Sequence, residues 1–253
     1  ELSLNADAIR TKDFDWNISL NLAHNENEVT RLSNDVFTMD KILLGDVFIR
    51  GGSSSGTHVL EEGRPIGQFY GLVCNGIDEN GRYILVDKDG DGEISDPADY
   101  DYIGSAQPKL TYGITNSFRY KNFDLSFFLR GTIGNDILNA TRMAYAQSGF
   151  LPGTNALDDP LTYTLSETPR FSNYYLEKGS FMRLDNLTLG YKIKALNGIR
   201  VYFTAQNLFV IMKYKGLDPE VPMDSGDGLT PGVEPREFYP KARTFSVGLN
   251  LNF

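Results

Sequence analysis

The end of the chain alternates without a break. Phe245, Val247, Leu249, Leu251 and Phe253 are apolar, and the intervening Ser246, Gly248, Asn250 and Asn252 are small or polar. Successive side chains of a strand point to opposite faces, so this segment has one greasy face and one wet face. The same period recurs upstream. Phe14, Trp16, Ile18, Leu20 and Leu22 alternate with Asp15, Asn17, Ser19 and Asn21. Phe123, Leu125, Phe127 and Leu129 alternate with Asp124, Ser126, Phe128 and Arg130. Leu187 to Lys192 and Ile199 to Gln206 follow suit, Leu110 to Tyr120 does so more loosely with Asn116 interrupting, and residues 2–10 carry the weakest copy. The chain is therefore read as all-β, with seven strands.

Composition supports this and narrows the function. Of 253 residues, 12% are aromatic, nearly all Tyr and Phe, and 25 are Gly, which suits strands joined by many turns. A formal charge of −9 argues against nucleic acid, whose phosphates such a surface would repel. The single Cys74 permits no intrachain disulfide and no thiolate zinc site. No run approaches the ~18 apolar residues of a membrane helix, but a barrel strand needs only about 10 alternating ones. A mean hydropathy of −0.30 is compatible with a barrel carrying large polar loops. The first residues, Glu1-Leu2-Ser3-Leu4, have neither the basic nor the apolar part of an export signal.

The connections sort by length. Thr11-Lys12-Asp13, Lys121-Asn122 and Ala195-Leu196-Asn197-Gly198 are tight turns, and between them lie long connections over about 25–109, 132–180 and 209–241. Short and long in strict alternation is the rhythm of an outer-membrane barrel, with tight periplasmic turns and long external loops. A soluble calcium-binding β-sandwich or adhesin-type module, the alternative reading, has no reason to sort its loops this way. Single-chain bacterial barrels have even strand numbers. Seven strands, the first at the first residue, predict that further strands precede Glu1.

The long connections carry a specific resemblance. The run Gly63-Arg64-Pro65-Ile66-Gly67-Gln68-Phe69-Tyr70-Gly71, followed by Asn75-Gly76-Ile77, resembles a segment of the SusC/RagA family of TonB-linked outer-membrane proteins. Asp89-Gly90-Asp91-Gly92, Ile103-Gly104, Pro108 and Tyr112-Gly113 continue that block. Asn186 to Tyr191, Ala205 to Phe209, Tyr214 to Glu220 and Tyr239 to Thr244 are similar to the family's last strands and their loops. The resemblance implies that residues 1–253 are the C-terminal segment of a transmembrane antiparallel β-barrel of 22 strands, the N-terminal plug being absent from this sequence. It also implies import of large nutrients, glycans or peptides, across the outer membrane. The implied partners are a SusD-like surface lipoprotein, TonB acting through the missing N-terminal part, and outer-membrane lipid. Phe253 would then be the terminal aromatic that serves as the barrel-insertion signal.

Candidate chemistry is sparse. Asp87, Asp89 and Asp91 stand at i, i+2 and i+4, with Gly92 and Glu93 behind them. This spacing can wrap oxygens round a hard cation such as Ca²⁺. The twelfth position of an EF-hand would be Ala98, so Asp96 or Asp99 would have to close the site, and no flanking helix pattern supports a true EF-hand. Gln206, Asn207, Asn250 and Asn252 are candidate lumen-facing groups, and Tyr70 and Tyr83 candidate rings for stacking on a ligand. His24 falls at a strand end, His58 in a mobile Gly/Ser-rich loop, and Cys74 reads as a small buried hydrophobe. No nucleophile elbow or Ser-His-Asp context is visible, so no enzyme activity is expected.

Overall fold

The computed structural model describes residues 1–52, 56–194, 199–221, 228–236 and 239–251. Two strands, β1 (Leu2–Arg10) and β2 (Phe14–Ala23), open the chain. The first long connection contains β3 (Lys41–Leu44), β4 (His58–Glu61), β5 (Gln68–Leu72), β6 (Cys74–Ile77), β7 (Tyr83–Leu85) and β8 (Tyr100–Ser105). The hairpin β9 (Leu110–Tyr120) and β10 (Phe123–Ile133) follows. The second connection holds β11 (Asp136–Leu138), α1 (Ala140–Tyr145), α2 (Pro160–Thr164) and β12 (Leu176–Lys178). The chain then runs through β13 (Phe181–Ile193), β14 (Ile199–Met212) and β15 (Thr244–Asn250).

The seven expected strands form one antiparallel sheet in the order β1-β2-β9-β10-β13-β14-β15. Each strand pairs with its neighbour along the chain once the long connections are set aside. Among the described residues β1 and β15 are the two edges, so the sheet is open. No helix among them is long and apolar enough to cross a membrane, which leaves spanning by strands untouched. Phe253, Asn252 and the turn at 195–198 lie outside the described residues.

Register fixes the faces. One row of paired residues reads Phe14, Tyr120, Phe123, Tyr191, Val201 and Leu249, and the next reads Trp16, Phe118, Leu125, Leu189, Phe203 and Val247. A third runs Ala6, Ile18, Asn116, Phe127, Leu187, Ala205 and Phe245. This apolar face is not covered: Phe245, Val247 and Leu249 are 58%, 76% and 61% exposed, and Leu2 and Leu4 55% each. From Phe123 to Gly131 it extends ~27 Å along the strand, or ~20 Å at a 40° tilt, close to the ~25 Å band of a membrane barrel. Aromatic Tyr120, Phe123 and Tyr191 line its tight-turn end, where girdles sit in such barrels.

Asn116 breaks the apolar pattern, and its neighbour accounts for it. The Trp16 indole donates from Nε1 to Asn116 Oδ1 at 3.0 Å, so one side-chain polar group satisfies another on an otherwise dry face. Strands β13 and β14 outrun the segments that alternation delimits, because irregularities in pairing interrupt them. Pairing skips Asp185 on β13 and Asn207-Leu208 on β14, with Asn207 at φ 51°. The single residue skipped at Asp185 reverses which face successive side chains take, and the two skipped on β14 interrupt the pattern without reversing it, so the visible alternation stops without the strand ending.

The long connections carry folded structure of their own. β3, β4, β5 and β8 form a four-stranded sheet, and β6 with β7 and β11 with β12 form two-stranded ones. Phe69, Leu138, Met143, Leu161, Phe171 and Tyr175 share a core that joins the first two connections. Asn139 caps α1 by accepting from Arg142 N, and Asp159 caps α2 by accepting from Leu161 N, with Pro160 at the first turn. The Arg142–Asp159 ion pair at 2.9 Å ties the helices together. The third connection is clasped in as well: Leu138 N donates to Gly232 O and Glu234 N to Leu138 O. His58 completes this clasp. It is fully buried, with Nε2 2.9 Å from Pro231 O and Nδ1 2.9 Å from Thr57 Oγ1, which corrects its placement in a mobile loop.

Candidate functional site

The polar face of the seven-stranded sheet has a layered chemistry. A row of directly paired residues runs Asp7, Asn17, Ser117, Ser126, Thr188, Thr204 and Ser246, all small polar groups. The next row toward the tight turns runs Arg10, Asp15, Arg119, Asp124, Gly190, Tyr202 and Gly248. Charge alternates along it. Arg119 pairs with Asp15, and Arg200 reaches sideways to Asp124 through Nε at 2.9 Å. The glycines are what that reach requires. A Cβ at Gly190 would collide with the Arg200 guanidinium, and one at Gly248 with the Tyr202 ring. Both side chains lie flat on the wall, with Arg200 5.1 Å from the Tyr202 ring centre.

Of the candidate polar groups, Gln206 and Asn250 are exposed on strands β14 and β15. Gln206 pairs with Asn186 and Thr244, so it stands in the polar register with Thr115 and Phe128. Asn207 is at the bulge, and its Nδ2 donates to Ala242 O at 3.0 Å, which ties β14 to the segment before β15.

The two candidate tyrosines differ from each other. Tyr70 packs against Tyr100 and Tyr102, with Lys41 Nζ 5.0 Å from its ring centre and Arg64 3.7 Å from that of Tyr102. Cations of the chain thus already sit over these rings. Tyr83 is buried in the core that joins the first two connections, where its hydroxyl meets that of Tyr175. Burial pushes both phenols up, beyond any titration near neutrality. Burial also pushes the Cys74 thiol up, leaving it an inert core group.

The acidic loop brings together part of its expected set. Carboxylate oxygens of Asp87, Asp89 and Asp99 lie within 4.8 Å of one another, with Asp99 buried and the other two exposed. Asp91, Glu93 and Asp96 are not in that group. Asp91 Oδ1 accepts from Glu93 N, and Asp96 pairs with Arg170 at 2.7 Å. Backbone amides of Ser95 and Lys88 donate to Asp99 and hold its carboxyl below the usual range. Asp87 accepts from Gly90 N and Gly92 N. The loop is thus folded round its carboxylates by its own amides, and it presents only hard oxygen donors.

Sequence reasoning missed a second charged cluster, beyond the tight-turn rows. Arg130 is held by Asp185 and Glu220, Arg183 by Asp218 and Glu220, and Lys241 by Glu220. One signal was available: Arg130 occupies a polar register position next to Leu129, and an arginine there needs acidic partners.

No protein-family profile matches the chain. Whole proteins do. The chain is 36% identical, over its full length, to the TonB-dependent receptor SusC of Bacteroides thetaiotaomicron, of which it covers 26%. It is 32% identical, again over its full length, to the TonB-dependent receptor P3 of Formosa agariphila, of which it covers 28%. Among solved structures, the RagAB peptide transporter superposes with a TM-score of 0.75 and 25% identity over 98% of this chain and 28% of that one. The chain therefore spans about a quarter of the length of the curated relatives it matches. A meander of long strands with an exposed apolar face, a charge-zipped polar face and folded long loops, matched end to end by these receptors, has one consistent assignment: the chain belongs to the SusC/RagA family of TonB-linked outer-membrane proteins.

Proposed function

We propose that this chain is the C-terminal wall of an outer-membrane barrel that imports large nutrients, glycans or peptides, with energy supplied through TonB. The observation that carries the reading is the division of one sheet into two faces. Uncovered apolar rows suit lipid, and rows of hydroxyls, amides and paired charges suit a hydrated lumen. The folded cap at the long-connection end offers a platform for a SusD-like surface lipoprotein, as the family assignment implies. A soluble sandwich finds no support, since its apolar face would be buried against a second sheet. Strain deletion tests the function. Removing the full receptor gene should abolish growth on one class of polymer while growth on its monomer persists. Unchanged growth on every glycan and peptide polymer offered would overturn the import reading.

A hard cation belongs to the same proposal. Asp87, Asp89 and Asp99 would hold it, with oxygen donors only and the lone pairs not taken by backbone amides, and the chemistry suits Ca²⁺. Its role would be to stiffen the loop ahead of β8.

A further inference from the structure

The charged cluster at the far end of β10 and β13 clamps one stretch of chain. Residues 213–221 leave the end of β14 and run back over the sheet. Tyr214 and Val221 pack against Ile137 and Met212. Lys215 N donates to Glu177 Oε2 at 2.7 Å. Arg130 rises from the polar register, opposite Gly113 and Arg183, so the stretch that binds both arginines lies on the polar face. Beside it opens a cavity of about 490 Å³, lined in part by Thr111, Arg130, Thr132, Asn135, Glu220 and Lys241.

The ion pairs that hold this stretch differ in depth. Arg183 and Asp218 are 4% exposed each and meet at 2.6 Å, and Asp218 also accepts from Glu220 N. Glu220 is the hub of the shallower half. It receives Lys241 Nζ at 2.7 Å and Arg130 Nη2 at 3.1 Å, and it lies 2.7 Å from Arg183 Nε. Lys241 is 39% exposed and Arg130 28%. Salt screens exposed charges far more than buried ones, and breaking a buried pair leaves an uncompensated charge. The stretch is therefore bound through one contact that solvent can reach and, two residues away, through another that it cannot.

We propose that residues 213–221 form a strap over the polar face, with Arg183–Asp218 as a permanent anchor and Glu220, just beyond it and between Arg130 and Lys241, as a salt-sensitive latch whose release widens the cavity beside it. This goes beyond the import reading and stands without it, since it concerns how one loop is tethered. The test is hydrogen exchange by mass spectrometry on the full receptor in detergent, at low salt and at molar salt. Wild type should exchange its Glu220 and Val221 amides at least tenfold faster in molar salt, with residues 213–218, β13 and β14 unchanged. Glu220→Gln and Lys241→Met should show the fast rate already at low salt and lose the salt response. The idea is overturned if salt leaves wild-type Glu220 and Val221 protected, or if the variants exchange like wild type. Should Glu220→Gln fail to assemble, the wild-type salt series and Lys241→Met still decide.

Discussion

The Trp16–Asn116 contact makes a quantitative claim about the apolar face. The indole donates at 3.0 Å to a carboxamide that is only 8% exposed, in a row flanked by Ile18 and Phe127. Trp16→Phe keeps a ring to stack on Phe118, now 5.6 Å away, but leaves the carboxamide oxygen without its donor. An orphaned buried acceptor costs about 1–3 kcal/mol. Asn116→Leu should cost a similar amount through the stranded indole N–H, offset in part by the added apolar contact. The double variant removes donor and acceptor together and should lie near wild type. Side-chain hydrogen bonds inside membranes couple by about 0.6–2 kcal/mol, so the cycle should show a coupling in that range. Reversible denaturant unfolding of the full receptor in phospholipid vesicles measures all four corners. If the single effects add to the double within ~0.3 kcal/mol, the two residues are independent and the account of Asn116 is wrong.

Ile18→Arg places a charge on the apolar face at mid-height and should destabilise the barrel by about 2–4 kcal/mol, read in the same unfolding assay, whereas Ser19→Arg on the polar face should cost far less. Gly190→Val should expel Arg200 from its seat over the backbone and abolish its pairing with Asp124, visible in a crystal or cryo-EM structure as a displaced guanidinium; an unmoved Arg200 would refute the packing argument. Calorimetry of the folded receptor should detect Ca²⁺ binding that Asp87→Asn with Asp99→Asn removes, and no heat at millimolar Ca²⁺ would sink the cation proposal. Burial works against ionisation of Glu220, but bonds from Arg130 and Lys241 outweigh it and hold its carboxyl below its ordinary 4.5. A depressed carboxyl stabilises fully above its unfolded value and loses that contribution as pH falls through the folded one. Protection of Glu220 and Val221 should therefore persist to pH 4.5 and fade only below it, and loss near pH 6 would contradict this.

The strands were legible because each buries or exposes one face for its whole length, and period-2 patterning records that directly. Legibility failed where the pairing is interrupted. Asp185 and Asn207-Leu208 each interrupt alternation, so the first part of β13 and the last part of β14 had no readable signature. The cap was missed for a different reason. Its strands run only three to six residues, too short to show a period, and its core assembles from contacts far apart in sequence, such as Phe69 with Tyr175. The acidic loop was half legible. Spacing singled out Asp87 and Asp89 and offered Asp96 or Asp99 to close the site, but only the fold, in which Lys88 N and Ser95 N donate to Asp99 while Asp96 pairs with Arg170, chooses Asp99 and leaves out Asp91, Glu93 and Asp96.

The two ends of the sheet are built differently. At the tight turns between β1 and β2 and between β9 and β10, strands are joined by three and two residues, so a charge on one strand faces a fixed partner on the next. Arg119 and Asp124 stand directly opposite because the turn at Lys121-Asn122 leaves no other register. Charges there can pair in the plane of the wall, and the wall itself holds the row together. At the other end the connections are long and the strands have no turn to set their spacing. The arginines of β10 and β13 stand side by side, Arg130 opposite Arg183, a repulsive arrangement by register alone. Acidic groups must come from outside the paired rows, and they do: Asp185 from a bulge, Asp218 and Glu220 from residues 213–221. Two like charges placed opposite each other thus create the demand that the returning chain satisfies. Neutralising one arginine should relieve part of that demand, so Arg130→Met should weaken the hold on Glu220 while the Arg183–Asp218 pair keeps the chain in place. Full loss of protection across 213–221 in Arg130→Met would show instead that both contacts act as a single unit.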